Sequence, residues 1–456
     1  MAESLANHYS QTDKVDKAFT YLSMSGSKSL NVYSLDEAAN HFAAALALLD
    51  KNPDCASDGQ VAEFLVSYTL LLNMSRRLNV TIDVLKRFLP RIKSLGDDPR
   101  AVLIRHHYVV ALIWTARYGE AALIQRQTSP MADRLGDNKS KAYSLAGEIH
   151  LSTIIAPKPL HEFESLKRES IKAASDTADA YIQNWSRFVI GWEEFHRGRM
   201  TAARDTADEL MQVGRLLGDP RSTGLGLALL AWIAQVSDSY TEALEYSEQS
   251  LAVAVTRSDR ITANAGKASA LVLLRRTEEG AKLIEEEYRR CVADGDLYSL
   301  NSDDAIMAIC RVLQGNIGKG IHLLEEGVLK REKEGYRTVA DWYRFLLCDV
   351  YLQVIAGNER PRIATLLKNL PILLKVMATG SSRIPALITR VLENPQFDPE
   401  GLHIGRTRMI LGLLYKAKKK RVLALQHLTE AKRIFSQFGQ TPILARVDAA
   451  LAELGQ

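Results

Sequence analysis

A short signature of an apolar residue, glycine and aspartate returns along this 456-residue chain at nearly constant intervals. Intact copies occur at Leu95-Gly96-Asp97, Leu135-Gly136-Asp137 and Leu217-Gly218-Asp219. Gly96 and Gly136 are 40 residues apart, and Gly136 and Gly218 are 82 apart, or two steps of 41. A fixed period of this length predicts stacked supersecondary units. A chain built from such units leaves little room for a separate catalytic domain.

Weaker copies of the signature continue the series at Ser258, Gly295, Gly335 and Gly439. Between successive copies the apolar residues recur twice at helical spacing, with a polar break between the two runs. Glycine in the left-handed conformation ends one helix, and aspartate caps the next. The pattern therefore predicts an all-α chain, a right-handed superhelical solenoid of roughly ten antiparallel helix pairs.

Small residues mark the places where the paired helices must touch. Ala203, Ala243, Gly320 and Ala424 come near the start of the second helix of their pairs. These positions give a common frame for all the units, because each unit repeats the same helix contacts.

The helix pairs resemble the tetratricopeptide repeat, whose standard length is 34 residues. The residues that carry the resemblance are Gly412-x-x-Tyr415, Arg421-x-x-Ala424 and Leu428-x-x-Ala431 near the end, and Leu35-x-x-Ala38 and Phe42-x-x-Ala45-Leu46 near the start. Longer units, with a period near 40, are typical of tetratricopeptide-like regions attached to bacterial signalling ATPases.

A second resemblance lies at the two ends of the chain. The residues Leu5 to Tyr9, Lys17 to Leu22 and Glu37 to Leu46 are similar to the junction between an AAA-like ATPase and its repeats in bacterial class III adenylate/guanylate cyclases. Maltose-regulator-like transcription factors share this layout. The segment from Ala424 to Leu454 resembles the C-terminal end of the same proteins. The resemblance implies a sensory region that derives from, or is attached to, a nucleotide cyclase.

The tetratricopeptide resemblance places one helix slot on the concave face of the superhelix. Trp192 and Trp232 occupy this slot, 40 residues apart, and four further side chains share the face of Trp192. The predicted partner-binding groove is lined by Trp185, Phe188, Trp192, Phe195, His196 and Trp232. Such a groove could hold an apolar helix or an extended peptide. The alternative is that the six residues form the core between repeats.

The sequence contains no motif for catalysis, for a cofactor or for a metal. The segment from Gly315 to Gly320 lacks the spacing and the Ser/Thr of a phosphate-binding loop, and the histidines show no ligand spacing. The four cysteines form neither a zinc pattern nor a disulfide framework, which fits a reducing compartment. Without a signal-peptide core or a spanning segment, the prediction is a cytoplasmic protein with no membrane partner.

Basic residues are concentrated at the end of the chain. Ten Lys/Arg and three Asp/Glu follow residue 400, although the whole chain has a net charge of only +4. The densest cluster is Lys416, Lys418, Lys419, Lys420 and Arg421. The repeat frame places it at a helix end and turn, where cations are favourable locally. Only Tyr415 is adjacent for stacking, so a nucleic-acid partner is disfavoured.

Three regions follow from these patterns: tetratricopeptide-like repeats over 1–378, an irregular loop-rich joint over 379–404, and a terminal repeat with the basic turn over 405–456. The expected function is that of a non-catalytic scaffold that binds a protein or peptide segment, or a small-molecule effector, in the concave groove. The alternatives are the effector-binding domain of a transcription regulator, which closes around a small molecule, and a nucleic-acid contact through the basic tail.

Overall fold

The computed structural model describes residues 2–9, 11–155, 157–356, 363–439 and 441–455, and the regular structure in these ranges is helical. The α-helices are α1 Ala2–Tyr9, α2 Val15–Asn31, α3 Leu35–Lys51, α4 Asp58–Met74, α5 Leu78–Lys93, α6 Pro99–Trp114, α7 Tyr118–Leu135, α8 Asn138–Ile154, α9 Leu160–Ser175, α10 Ala180–Arg197 and α11 Met200–Leu217. They continue as α12 Pro220–Val236, α13 Tyr240–Ala252, α14 Arg257–Leu273, α15 Thr277–Asp294, α16 Leu300–Leu313, α17 Ile317–Lys333, α18 Arg337–Ala356, α19 Ile363–Leu392, α20 Leu402–Ala417, α21 Arg421–Phe435 and α22 Pro442–Gly455. Short 3-10 helices lie at Pro53–Cys55 and Ser436–Phe438.

These helices form ten consecutive pairs, from α2 with α3 to α20 with α21, and the first helices of successive pairs also pack on one another. Small residues allow the close approach within a pair. A Cβ atom on Gly412 would lie 2.6 Å from Cγ of Leu428 on the partner helix, and Ala203 and Ala243 are fully buried. The prediction of an all-α solenoid of antiparallel helix pairs is confirmed.

The turns between pairs use the predicted glycine and aspartate. Gly136 and Gly218 end their helices with φ of 69° and 65°, in the left-handed region that glycine adopts readily. Asp137 accepts a hydrogen bond from the Ser140 amide at 2.8 Å, and Asp219 accepts one from the Arg221 amide at 3.2 Å. In these two copies the signature ends one helix and caps the next. In the first copy the cap of α6 is Asp98, one residue after the signature, which accepts from the Arg100 amide at 2.8 Å.

The turn inside a pair contains a second left-handed residue, which the sequence pattern did not reveal. This residue is Gly198 in one pair, but it is Arg76, Asp238 or Lys419 in others, with φ between 57° and 62° at these three. A side chain in this conformation costs roughly 1 kcal/mol. The strained conformation occurs at these residues because the same turn geometry recurs from pair to pair, whichever residue occupies the position.

Two local predictions are wrong. Ser258 does not mark a turn, because α14 starts at Arg257 and Thr256 caps it in a reciprocal pair of hydrogen bonds with Asp259. The irregular joint expected over 379–404 is helical as far as Leu392, and only 393–401 lies between α19 and α20. The buried side chains of Ile384 and Ile388 continue the apolar face of α19 and outweigh the local glycine, serine and proline.

The superhelix coils tightly enough that units far apart in sequence touch. The Tyr33 hydroxyl donates to Oδ1 of Asp219 at 2.7 Å, across 186 residues. The Tyr298 amide donates to the Trp114 carbonyl at 3.0 Å, and the Leu402 amide donates to the Gly198 carbonyl at 2.8 Å. These contacts convert the expected open groove into a cavity inside the coil. Within the described ranges, no helix combines the length and the apolar character needed to cross a bilayer.

Candidate functional site

A cavity of about 430 Å³ lies between the first helices of the pairs, from α6 to α20. The five aromatic residues and the histidine predicted to line the groove all line this cavity: Trp185, Phe188, Trp192, Phe195, His196 and Trp232. These six side chains therefore lie on the faces of α10 and α12 that border the cavity. Whether these residues bind a ligand stays a prediction.

The six residues belong to the core and to the cavity wall at once. Trp185 and Phe195 are only 2% exposed and pack against neighbouring units. Trp192 and Trp232 are partly exposed and lie against the same core. Groove and core are therefore not exclusive alternatives for these residues. Because the superhelix coils tightly, the same side chains pack between repeats and border the cavity.

Ring contacts run along the wall from one end of the cavity to the other. The ring of Trp114 meets that of Trp185 edge-on, with centroids 5.9 Å apart, and Trp192 lies 6.2 Å from Trp232. Phe195 then stacks on Trp342 at 5.2 Å. Such pairs add to the free energy gained from burial alone. The result is a row of aromatic rings that belong to α6, α10, α12 and α18.

All five tryptophans of the chain line this cavity, and sequence reasoning missed two of them, Trp114 and Trp342. A signal existed for Trp114, which precedes Ala121 by seven residues, just as His196 precedes Ala203. Trp342 has no such signal, since its place depends on contact between α18 and α10.

One end of the cavity, called here the Arg76 end, is closed by a buried arginine. The guanidinium carbon of Arg76 lies 3.1 Å from the ring centroid of Trp114, a cation–π contact. Nε of Arg76 is 3.3 Å from Oδ2 of Asp296, which is fully buried. Burial is the largest influence on Arg76 and lowers its pKa, although Asp296 acts in the opposite direction. Burial therefore opposes the charge of Arg76 more strongly than the neighbouring carboxylates support it.

The other end, called the Arg406 end, holds an arginine between two carboxylates. Nη2 of Arg406 lies 3.5 Å from Oδ2 of Asp349 and 3.8 Å from Oδ1 of Asp238. Nη1 also donates to the Val236 carbonyl at 3.3 Å, and Arg446 is 3.5 Å from Asp238. Burial opposes the charge of Arg406, but Asp349 and Asp238 outweigh it and raise the pKa. These contacts fasten α20 and α22 onto α12 and α18.

Three histidines that line the cavity are neutral near pH 7. Burial lowers the pKa of His150 and His196 to about 3, and that of His403 to about 4. Nε2 of His403 lies 3.0 Å from the Phe195 carbonyl. The positive charge of the cavity at neutral pH therefore comes from its arginines.

No group of three or more His, Cys, Asp or Glu side chains in the described part of the chain is arranged to hold a metal ion. The predicted basic cluster lies away from the cavity, at the end of α20, in the turn and at the start of α21, where Lys418 to Arg421 are exposed. Lys416 makes an ion pair with Glu453. A binding role for this cluster stays a prediction.

Comparisons with known proteins add little to this picture. No protein-family model and no curated protein matches the sequence. The crystal structure of a Rap protein complexed with competence and sporulation factor is 12% identical, with a TM-score of 0.48 over 78% of this chain and 97% of that chain. The Cut9–Hcn1 hetero-tetramer of APC/C is 11% identical, with a TM-score of 0.27 over 99% and 91% of the two chains. Naa15/Naa10 bound to HypK-THB is 13% identical, with a TM-score of 0.27 over 99% and 80%.

Because these sequence identities and TM-scores are low, the assignment of the fold rests on the helix pairs of this structure. The resemblance to cyclase-associated repeats stays a prediction.

Proposed function

We propose that this chain is a regulatory scaffold of the tetratricopeptide type, without catalytic activity, that binds an effector in its axial cavity. The observation that carries the proposal is the convergence of all five tryptophans on one cavity of about 430 Å³. Ligand pockets of roughly 300–1,000 Å³ with apolar walls are the usual size for small molecules. Aromatic rings supply a large apolar contact area for such a ligand.

Binding would act on the whole coil, because distant units share the cavity wall. Trp114, Trp232 and Trp342 come from α6, α12 and α18. A ligand that touches all three stabilises the closed coil relative to any conformation in which those units separate. Occupancy would then set the curvature of the superhelix and the placement of whatever the scaffold carries. The resemblance of both ends to cyclase-associated repeats supports a signalling role in a bacterial cytoplasm.

A second candidate occupant is a segment of a partner protein. The rings from Trp114 to Trp342 form a row rather than a single closed pocket. A row of this kind suits an extended apolar segment, whose alternate side chains would lie against successive rings.

Scanning calorimetry with two panels would test and separate these candidates. One panel contains small apolar and aromatic molecules, and the other contains short apolar peptides. A ligand at a hundredfold excess over its Kd adds about 2.7 kcal/mol to the free energy of unfolding, which raises the Tm. The panel whose members raise the Tm identifies the class of occupant.

The double variant Trp192→Ala and Trp232→Ala should lose the ligand-induced rise. Leu216→Ala is the matched control, because this leucine is 77% exposed and does not line the cavity. If neither panel raises the Tm of the wild-type protein, the cavity is not a binding site and the proposal is wrong.

A further inference from the structure

The cavity wall is rich in hydrogen-bond donors that have no partner within the described chain. These atoms are Nη1 of Arg76, Nε1 of Trp185, Nε1 of Trp342 and Nε of Arg406, while Nε of Arg76 has only its 3.3 Å ion pair with Asp296. Tryptophan and arginine side chains can only donate. Among the cavity-lining residues described, Oδ1 of Asp349 is an acceptor without a partner, and Nδ1 of His150 and Nδ1 of His196, each on a neutral ring, can either donate or accept. An occupant that satisfies this wall must therefore supply acceptors.

The most deeply buried of these donors lie at the Arg76 end. Arg76 and Trp185 are 3% and 2% exposed, and Trp114 touches both, with Arg76 over its ring and Trp185 against its edge. A buried donor without a partner costs about 1–3 kcal/mol, and more when it is charged. An acceptor at this end recovers that cost.

An acceptor with negative charge would bind the unpartnered Nη1 of Arg76 more strongly than a neutral acceptor. Asp296 is the carboxylate paired with Arg76, and it also accepts hydrogen bonds from the Ser299 amide at 3.0 Å and the Ser299 hydroxyl at 2.8 Å. His150, which lies 5.5 Å from Trp185 between ring centroids, is neutral at pH 7, because burial lowers its pKa to about 3. The guanidinium fork suits the planar carboxylate group in particular.

We propose that the cavity ligand is a small carboxylic acid with an apolar body, whose carboxylate binds Arg76 and Trp185 while its body lies along the aromatic row. This inference rests on the proposed function and names the chemical class of the effector. The two parts of the ligand match two different parts of the wall, the donors at the Arg76 end and the rings from Trp185 towards Trp342.

Isothermal titration calorimetry with matched acid and amide pairs tests the inference. The ligands are indoleacetate, naphthylacetate and decanoate, each compared with its own neutral amide. We expect at least one acid to bind about tenfold more tightly than its amide, because charged hydrogen bonds are stronger than neutral ones. Equal affinity of acids and amides overturns the inference but leaves the proposed function standing. Failure of every acid to bind also overturns it, and binding of an amide in that case preserves the cavity as a site.

Variants locate the carboxylate. Arg76→Met should abolish the preference for the acid without weakening the amide, and Arg76→Lys should retain part of the preference. Trp185→Phe keeps an aromatic side chain but removes the Nε1 donor together with part of the indole. Because the lost ring contacts weaken the acid and the amide alike, loss of the donor should show as a severalfold smaller preference. Arg433→Met is the control, because Arg433 makes exposed ion pairs and does not line the cavity.

If Arg76→Met does not fold, Trp185→Phe and the salt dependence of the wild-type acid affinity decide the matter. A preference that Trp185→Phe leaves intact and that salt does not weaken places the carboxylate elsewhere and overturns the assignment. The same calorimetric titration with tripeptides that end in phenylalanine, with either a free or an amidated C-terminus, distinguishes a peptide carboxylate from a small acid. Preference for the peptides alone would overturn the small-molecule assignment.

Discussion

The two ends of the cavity are closed by the same kind of residue in opposite electrostatic states. Arg406 has two carboxylates and a carbonyl around it, and its pKa is raised despite burial. Arg76 has one carboxylate and an aromatic ring, and burial lowers its pKa. A raised pKa means that the fold stabilises the charged arginine, and a lowered pKa means that the fold opposes it. The Arg406 end thus fastens the structure, whereas the Arg76 end holds a charge that burial opposes.

The largest effect is expected at the Arg406 end. Arg406→Met leaves Asp349 and Asp238 without their shared cation, and loss of one partner from a largely buried pair costs about 3 kcal/mol. Urea unfolding followed by circular dichroism measures the loss. Arg433→Met is the matched control, because Arg433 also has two carboxylate partners but is exposed, and it should change stability little. Equal losses from the two variants would contradict the structural role of Arg406.

Acidification should lower the free energy of unfolding through buried histidines at both ends of the cavity. The folded-state pKa values of His150 and His403, about 3 and 4, lie below the unfolded value near 6.5, so the unfolded chain takes up protons first as the pH falls. Stability is then complete above pH 6.5 and declines by roughly 1.4 kcal/mol per pH unit for each histidine below it. Asp341 acts in the opposite direction, because burial raises its pKa to about 6.

The measurement for this prediction is the free energy of urea unfolding between pH 7 and pH 5. His150→Gln should flatten the slope, and His322→Gln should leave it unchanged, because the side chain of His322 is 67% exposed. An identical slope in wild type and His150→Gln would show that His150 is not buried in its neutral form.

Arg76→Met should cost less than Arg406→Met but still about 1–3 kcal/mol, because it removes a charge that burial opposes and leaves one buried carboxylate, Asp296, without its cation. Asp296 keeps its two hydrogen bonds from Ser299 in this variant. The same urea titration compares the two arginine variants directly. A loss at Arg76 that equals the loss at Arg406 would remove the distinction between the two ends.

The smallest effect is expected at the left-handed turns inside the helix pairs, one of which contains Arg76. Lys419 has φ of 57° and is exposed, so Lys419→Gly relieves strain without touching the cavity. We expect a gain of about 0.5–1 kcal/mol. Lys418→Gly is the neighbouring control, because φ there is −83° and glycine only adds freedom to the unfolded chain. A loss at position 419 would show that the left-handed turn is not strained.

The wall of the cavity could be predicted from sequence to the extent that it depends on one helix pair. Trp192 and Trp232 were placed correctly because each lies eleven residues before the small residue of its own second helix, Ala203 or Ala243. Contacts within a pair repeat, so a local frame is sufficient to assign the inner face.

The two ends could not be predicted in this way. The contact of Arg76 with Asp296 and that of Arg406 with Asp238 depend on the pitch of the whole coil, which accumulates from small rotations between many pairs. The joint over 379–404 was wrong for a related reason, since the packing of Ile384 and Ile388 outweighed the local turn signals.

The gathering of all five tryptophans on one wall also has an optical consequence. Indole emission usually averages over sites scattered through a protein, but here the whole signal originates around a single space. A change in polarity or quenching inside that space alters the ultraviolet emission of the entire molecule. The protein therefore carries its own unlabelled sensor of whether its interior is filled.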